Sequence, residues 1–365
     1  MPLRIILVHP GHALSTAWIF DGLESAFEEL GITVLPVRLD NLISTASDFI
    51  DTKQEQFEGH QGAGLYHWKL HLAEQLAITR IMECIVDNGD VMLNICGKLW
   101  SPQNLNLLNL IPFPKVIQLT ESPYEDETQK YLLEFHDFAF TNDKSSAGLL
   151  SEYRPTAYLR HAYDPDVFRY IELDRRQQFD YSFIGTPFGN RKPIIEACRQ
   201  LPLKGYLFDK VVDEEDCEPG KTKIIYIPQE SACRVYNQTK VNLNIHRTEK
   251  YYDRGEHIDA GSAYSLGPRA YEIAGCRAFQ LCDSTRPELK EVFGETVATY
   301  DQPESVAETV AYWADDAREV RRREMAHASW EIARGQTYYH RSVQLVEQLA
   351  CWYNRPEWAE GLQND

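Results

Sequence analysis

Short apolar runs of strand length alternate along this chain with longer stretches whose apolar residues recur every three or four positions. Arg4–Val8 (RIILV) reads as a buried strand, His9-Pro-Gly-His12 as a turn, Trp18–Leu30 as a helix closed by Gly31, and Ile32–Val37 as a returning strand. The same switch of period predicts strands at Val91–Ile95, Lys115–Thr120, Asp137–Thr141 and Thr156–Leu159. Between them it predicts helices at Tyr66–Val86, Pro102–Leu110, Tyr124–Phe135 and Lys144–Tyr153. Strands this uniformly apolar are buried on both faces, so the pattern predicts a mostly parallel sheet covered by helices on each side. Residues 40–63, polar and rich in Gln, Glu and Gly, read as an irregular insertion.

Polar and Pro residues interrupt the alternation at His161–Phe168, and 161–178 reads as a connection between domains. The alternation then restarts with a strand at Tyr181–Ile184, a Gly/Pro loop at Gly185–Asn190 and a helix at Arg191–Leu201. An exposed acidic stretch is expected at 208–222, then a strand at Lys223–Ile227, a helix at Gln229–Thr239 and a strand at Lys240–Ile245. A long charged loop, His246–Ala263, leads to a helix opened by Gly267 and Pro268 and closed by Gly275. A strand at Ala278–Cys282, a strand at Thr296–Tyr300 and helices from Glu304 onward complete the pattern. Two α/β halves joined by one connection predict a cleft.

Composition narrows the class. A length of 365 residues suits two domains, and 43% hydrophobic with 12% aromatic residues is globular. A net charge of −18 argues against a broad nucleic-acid surface, since phosphate neutralisation needs clustered Lys and Arg. The eight cysteines (Cys84, Cys96, Cys198, Cys217, Cys233, Cys276, Cys282 and Cys351) show no C-x-x-C spacing and read as core residues of a reducing compartment. The N-terminal apolar run is too short for a signal peptide, so a cytoplasmic protein with no membrane span is expected.

Candidate chemistry lies in the loops that follow strands, where open α/β sheets place ligands. His9 and His12 follow the first strand and, with His67, are the candidates for proton transfer. In the second half Gly185 allows close backbone approach to a diphosphate, and Arg191 or Lys192 beside it would add charge. His246 and Arg247 follow the next strand, and Gly267 opens a helix whose N–H groups suit a phosphate. Arg269 and Glu272 share one helical face, either as an ordinary surface pair or as groups for a phosphate and for sugar hydroxyls. Asp283 ends the following strand. The spacing in 246–259 lacks a helical His pair, so no metal site is expected. Arg321-Arg-Arg323 reads as a solvated helix face.

The ordered segments LRHAYDPDVF, FDYSFIGTPFGNRKPIIEA, SLGPRAYEIAGCRAFQLCDSTRPELKEVFG, TYDQPESVAETVAYWADDAREVRRR and TYYHRSVQLVEQL resemble the CgeB-like, group 1-type glycosyltransferases of the GT-B fold. The resemblance spans about residues 156–347. It implies an N-terminal Rossmann-like acceptor domain (1–160), a linker (161–178), a nucleotide-sugar donor domain (179–343) and a C-terminal helix (344–365) crossing back to the first domain. It implies that Glu272 binds the nucleotide ribose, with Arg269 beside it, and that Gly185 and Arg191 lie near the diphosphate. It also implies transfer from a UDP- or GDP-linked sugar, retaining and with no metal or other cofactor. The acceptor stays open among glycan, protein, small molecule and modified DNA. One departure stands out: related retaining enzymes often carry Glu eight residues before the ribose Glu, where this chain has Tyr264. Two alternatives follow, a phage-type enzyme acting on modified DNA bases and a catalytically inactive GT-B carbohydrate-binding or surface-assembly protein.

Overall fold

The computed structural model describes residues 2–11, 14–52, 63–86, 90–172, 178–186, 189–208, 227–251, 257–259 and 263–362. The chain forms two compact units, one of Met1–Leu159 with Tyr338–Asp365 and the other of Arg160–Thr337.

The first unit runs β1 (Arg4–Val8), α1 (Leu14–Glu29), β2 (Thr33–Val37), α2 (Leu39–Asp51), α3 (Ala63–Cys84), β3 (Asp90–Ile95) and α4 (Pro102–Asn109). It continues with β4 (Lys115–Leu119), α5 (Asp126–Leu133), β5 (Phe138–Thr141), α6 (Lys144–Leu150) and β6 (Thr156–Tyr158). Its strands pair in parallel in the order β2-β1-β3-β4-β5-β6. The pleat sends Ile6 and Val8 into one apolar cluster and Ile5 and Leu7 into another, so both faces are buried, as the uniformly apolar run predicts. The chain order reverses between β1 and β3, so the turn after β1 opens at a topological switch point.

The second unit runs β7 (Phe179–Ile184), α7 (Arg191–Arg199), β8 (Gly205–Phe208), α8 (Gln229–Gln238), β9 (Thr239–Asn244), β10 (Glu249–Tyr251) and β11 (His257–Asp259). Then come α9 (Pro268–Gly275), β12 (Gln280–Asp283), α10 (Glu288–Phe293), β13 (Ala298–Tyr300), α11 (Val306–Ala314) and α12 (Glu319–Ala333). The five-stranded sheet is parallel, ordered β13-β12-β9-β7-β8, with its switch point between β7 and β9. Strands β10 and β11 form a separate antiparallel pair. The last helix, α13 (Tyr338–Trp352), belongs to the first unit, where Leu345, Val346 and Leu349 join Phe20, Leu23 and Phe27 of α1 in one cluster.

Several details differ from the pattern. The expected insertion at 40–63 begins as helix α2, whose Leu39, Ile43, Ala46 and Ile50 are buried; 53–62 lie outside the described residues. Part of the expected linker is core of the second unit, since Tyr163 and Phe168 are buried in its apolar cluster. The last helix starts at Tyr338 rather than Gln344. Strand β8 is additional, whereas the acidic stretch and most of the Lys223–Ile227 strand lie outside the described residues. Gly275 does not turn left-handed to close α9; Arg277 does, at φ +52°. Gly275 is needed because a Cβ there would fall within the Tyr163 ring. The Arg321–Arg323 face is not wholly solvated, because Arg322 is buried.

Candidate donor site in the second unit

Parallel strands bring their carboxyl ends to one edge, so the loops after β7, β9 and β12 meet there although they are distant in sequence. Hydrogen bonds join them. Arg191 donates from Nε to the Ile245 carbonyl (2.9 Å) and from Nη1 to the Thr186 carbonyl (3.2 Å). Asn190 Nδ2 donates to the His246 carbonyl (2.9 Å), and the Thr248 N–H donates to Asn190 Oδ1 (3.3 Å). The β7 and β9 loops are therefore fixed to each other by backbone-directed bonds.

Asp283 joins β12 to the same place. Its Oδ2 accepts from the His246 backbone N–H (2.6 Å) and lies 3.0 Å from His246 Nδ1, while Oδ1 accepts from the Thr285 N–H (3.2 Å). Burial by itself raises this carboxyl, but His246 and the Thr285 hydroxyl outweigh it and hold Asp283 well below the usual carboxylate range. With Nδ1–H given to Asp283, the imidazole presents Nε2, which is buried and has no hydrogen-bond partner among the described residues.

Helix α9 starts at the same edge. Gly267 is its N-cap, with extended backbone, and Pro268 occupies the first turn. Glu288, in the Pro287-Glu288-Leu289 segment that matches the family after β12, and Arg286, which the sequence did not single out, brace this start. Glu288 accepts from the Leu266 N–H (2.7 Å) and from Arg160 Nε (2.7 Å), and Arg286 donates to the carbonyls of Ala263 (2.8 Å) and Arg247 (2.6 Å). Gly185 lies against Arg269: a Cβ on it would stand 3.2 Å from Arg269 Nη2 and 3.1 Å from the Phe183 ring. Arg269 and Arg191 also share Phe183, with guanidinium carbons 5.7 and 5.8 Å from the ring centroid.

Arg269 and Glu272 are not an ordinary surface pair. Glu272 is buried, and no hydrogen bond or ion pair to its carboxylate is present among the described residues. Burial pushes its carboxyl up to about 7, with Arg269 only partly offsetting the effect. Gly185, Arg191, His246, Arg247, Gly267, Arg269, Glu272 and Asp283 thus gather at one edge of one unit. Lys192 is exposed in the first turn of α7 and makes none of these bonds.

His246 Nδ1, Cys282 Sγ and an Asp283 oxygen form a group of metal-ligating type, mutually within 4.8 Å. Burial raises the Cys282 thiol well above its ordinary value, which disfavours the thiolate a metal requires. Tyr264, in the place where related enzymes often carry Glu, donates its hydroxyl to Glu291.

In the first unit His9 is buried and held in place. Its Nδ1 accepts from the Gly11 N–H (3.0 Å), lies 3.4 Å from Asp40 Oδ1, and its ring meets Phe20 edge-on at 4.9 Å. An Nδ1 that accepts leaves the neutral ring's proton on Nε2. His12 lies outside the described residues, and His67 is exposed on α3. No helix among the described residues is long and apolar enough to cross a membrane.

Comparison with known proteins gives a family match and a fold. Residues 191–347 match the family described as "Glycosyl transferase-like". The two parallel α/β sheets are those of the GT-B fold, and the matched residues resemble those of glycosyltransferases. Within that fold the chain resembles the CgeB-like, group 1-type proteins. It is 22% identical over 228 residues to the spore protein CgeB of Bacillus subtilis (strain 168), covering 60% of this chain and 71% of the relative. Among solved structures, the sucrose-phosphate synthase of Thermosynechococcus elongatus superposes with a TM-score of 0.59 at 11% identity, covering 96% of this chain and 99% of that one. HepE of Anabaena, solved in complex with UDP and glucose, superposes with a TM-score of 0.53 at 11% identity, covering 96% of this chain and 100% of that one.

Proposed function

We propose that the protein transfers a sugar from a nucleoside-diphosphate sugar to an acceptor hydroxyl with retention and without a metal. The observation that carries this reading is Glu272, a buried carboxylate with no protein partner among the described residues, one helical turn from Arg269 at the start of α9. A buried carboxylate lacking donors is suited to accept from a pair of hydroxyls, as a ribose provides. Arg191, Arg269 and the N–H groups of α9 then face the diphosphate. As the sugar C1–O bond breaks, its electron pair passes to the diphosphate oxygen, and these cations stabilise the developing charge. The acceptor oxygen bonds C1 on the same face, and its proton goes to the departing diphosphate. Lys192 and Arg247 add positive charge at the same edge, and His246 Nε2 accepts from a sugar hydroxyl. His9 of the first unit is proposed to act toward the acceptor as a donor through Nε2. UDP is the favoured nucleotide, supported by the fold shared with HepE in complex with UDP and glucose, and GDP is the other candidate.

Thermal shift against UDP and GDP, followed by mass spectrometry of nucleotide-sugar incubations with and without chelator, tests the reading. UDP or GDP is expected to raise the melting temperature, with Glu272→Ala removing much of the shift. No response to any nucleoside diphosphate overturns it. Tyr264 favours a second reading, a GT-B scaffold that binds donor without transferring it, because its hydroxyl is engaged with Glu291. Nucleotide binding with neither hydrolysis nor transfer over a broad acceptor panel selects that reading. Transfer to modified DNA would be accompanied by salt-sensitive DNA binding, which the −18 charge disfavours.

A further inference from the structure

At the opposite, amino edge of the second unit's sheet, α12 meets the starts of β9 and β12 around a pocket of about 240 Å³. We propose that this pocket is a second ligand site, for a small phosphomonoester. Four cations line it: Lys240, Arg277, Arg322 and Arg323. Lys240 is neutralised by Asp180 (3.0 Å) and Asp316 (2.8 Å), and Arg323 by Glu319 (2.5 Å). Arg277 and Arg322 have no carboxylate at ion-pair distance among the described residues.

Arg322 is the more telling. It is 2% exposed, and its Nη1 donates to the carbonyls of Trp313 and Asp315, yet Nη2 is buried with no hydrogen-bond partner among the described residues. A buried guanidinium with an unused donor is costly unless an anion completes it. Arg277 approaches from the other side. It adopts a left-handed φ of +52°, where Gly or Asn is usual, and its guanidinium stands 5.8 Å from the Tyr170 ring and 5.5 Å from the Trp330 ring. Two arginine forks favour a phosphate dianion. The rings of Tyr170 and Tyr236 line the remainder and suit a compact organic body. The nearest polar groups of α8 and β9 are already used: Asn237 Nδ2 donates to the Arg169 carbonyl (3.0 Å) and the Thr239 hydroxyl to the Val235 carbonyl (2.7 Å). Charge and ring stacking, rather than a set of neutral donors, therefore define the ligand. Tyr236 also reaches the donor side, where its hydroxyl is hydrogen-bonded by Arg269, so the two edges share one side chain.

The test is calorimetric titration of the full chain with inorganic phosphate and with phenyl phosphate. The Arg191→Gln background removes a donor-site guanidinium at a residue outside the pocket lining. Phenyl phosphate is expected to bind there as in wild type, and at least tenfold more tightly than inorganic phosphate. Arg277→Gln, at an exposed position, is expected to weaken it at least tenfold, and Arg322→Met to abolish it with the circular dichroism spectrum unchanged. If Arg322→Met does not fold, Arg277→Gln alone decides. No binding, binding unaffected by Arg277→Gln, or binding lost with Arg191→Gln overturns the proposal. Equal affinity for the two probes overturns the ester and leaves a free-phosphate site. None of these outcomes depends on whether the donor edge takes a nucleotide sugar.

Discussion

Replacing Glu272 by Gln separates stability from ligand binding with opposite signs. In the folded protein burial raises this carboxyl from 4.5 to about 7. The folded state therefore holds a proton that the unfolded chain has released, and stability falls as pH rises between those values. Above pH 7 the ionised side chain costs about 3 kcal/mol, because a tenfold change in proton affinity is worth roughly 1.4 kcal/mol. Gln keeps the size and discards the charge. Glu272→Gln should thus stabilise the ligand-free protein by up to about 3 kcal/mol at pH 8, with the gain fading toward about pH 4.5. Nucleotide binding should move the other way. Losing charge-assisted acceptance costs about 1.5–3 kcal/mol, or roughly ten- to a hundredfold in Kd. Since ligand hydroxyls favour the ionised form, wild-type affinity for UDP should rise about tenfold from pH 6 to pH 8. The terminal phosphate of UDP titrates near ~6 in both proteins, so the difference between their pH profiles isolates Glu272. Urea unfolding and calorimetric titration across this pH range provide both readings. Equal pH slopes for the two proteins, or a variant that loses stability at pH 8, would refute the reasoning.

Asp283→Asn should destabilise the second unit by about 3 kcal/mol in urea unfolding, because it removes the charge that accepts from His246. Asp283 stays ionised to well below the usual carboxylate range, so the loss should be as large at pH 5 as at pH 7. In the first unit, burial lowers His136 to about 4, and its Nδ1–H donates to the Leu132 carbonyl at 2.7 Å. The unfolded chain takes up that proton first, so about 3 kcal/mol of stability should be lost as pH falls from about 6.5 to about 4; His136→Gln should flatten that slope. Leu349→Ala, at a fully buried position of α13, should cost the first unit about 2–5 kcal/mol by calorimetry and leave the nucleotide response intact.

The sequence was most legible where one period ran without interruption. Arg4–Val8 has the same limits in the pattern and in the structure, because five apolar-dominated residues between polar turns admit little else. It was least legible where burial is sparse. In α2 the buried residues follow a helical period, but Asp, Asn, Ser and Thr between them masked it. Strand β8 pairs only with β7 at the sheet's edge and spans GYLF, too short to show a period. Tyr163 and Phe168 are isolated aromatics, and their pattern does not show that they enter a core. At the site the same division holds. The spacing of Arg269 and Glu272 and the glycine before Arg191 were visible, because each rests on a local rule. The bracing by Arg286 was not, because its acceptors at Ala263 and Arg247 lie 23 and 39 residues away. A Gly at the end of α9 was visible as well, but its use was not: it makes room for Tyr163 while Arg277 takes the left-handed turn.

The two buried carboxylates of the donor edge differ in a way that assigns their work. Asp283 receives the His246 N–H, its imidazole and Thr285, and is driven toward the charged form. Its Oδ2 joins the β9 and β12 loops, and its Oδ1 closes the turn at Thr285. Glu272 sits one helical turn into α9, comparably buried, with Arg269 near but no donor in contact among the described residues, and is driven toward the neutral form. Environments that push two carboxyls apart mark a division of roles. Had both been structural, each would have been given donors, since a buried carboxylate without them lowers stability. On the proposed reading, the carboxylate left without partners is the one that receives the ligand, and the satisfied one holds in position the loop that carries His246.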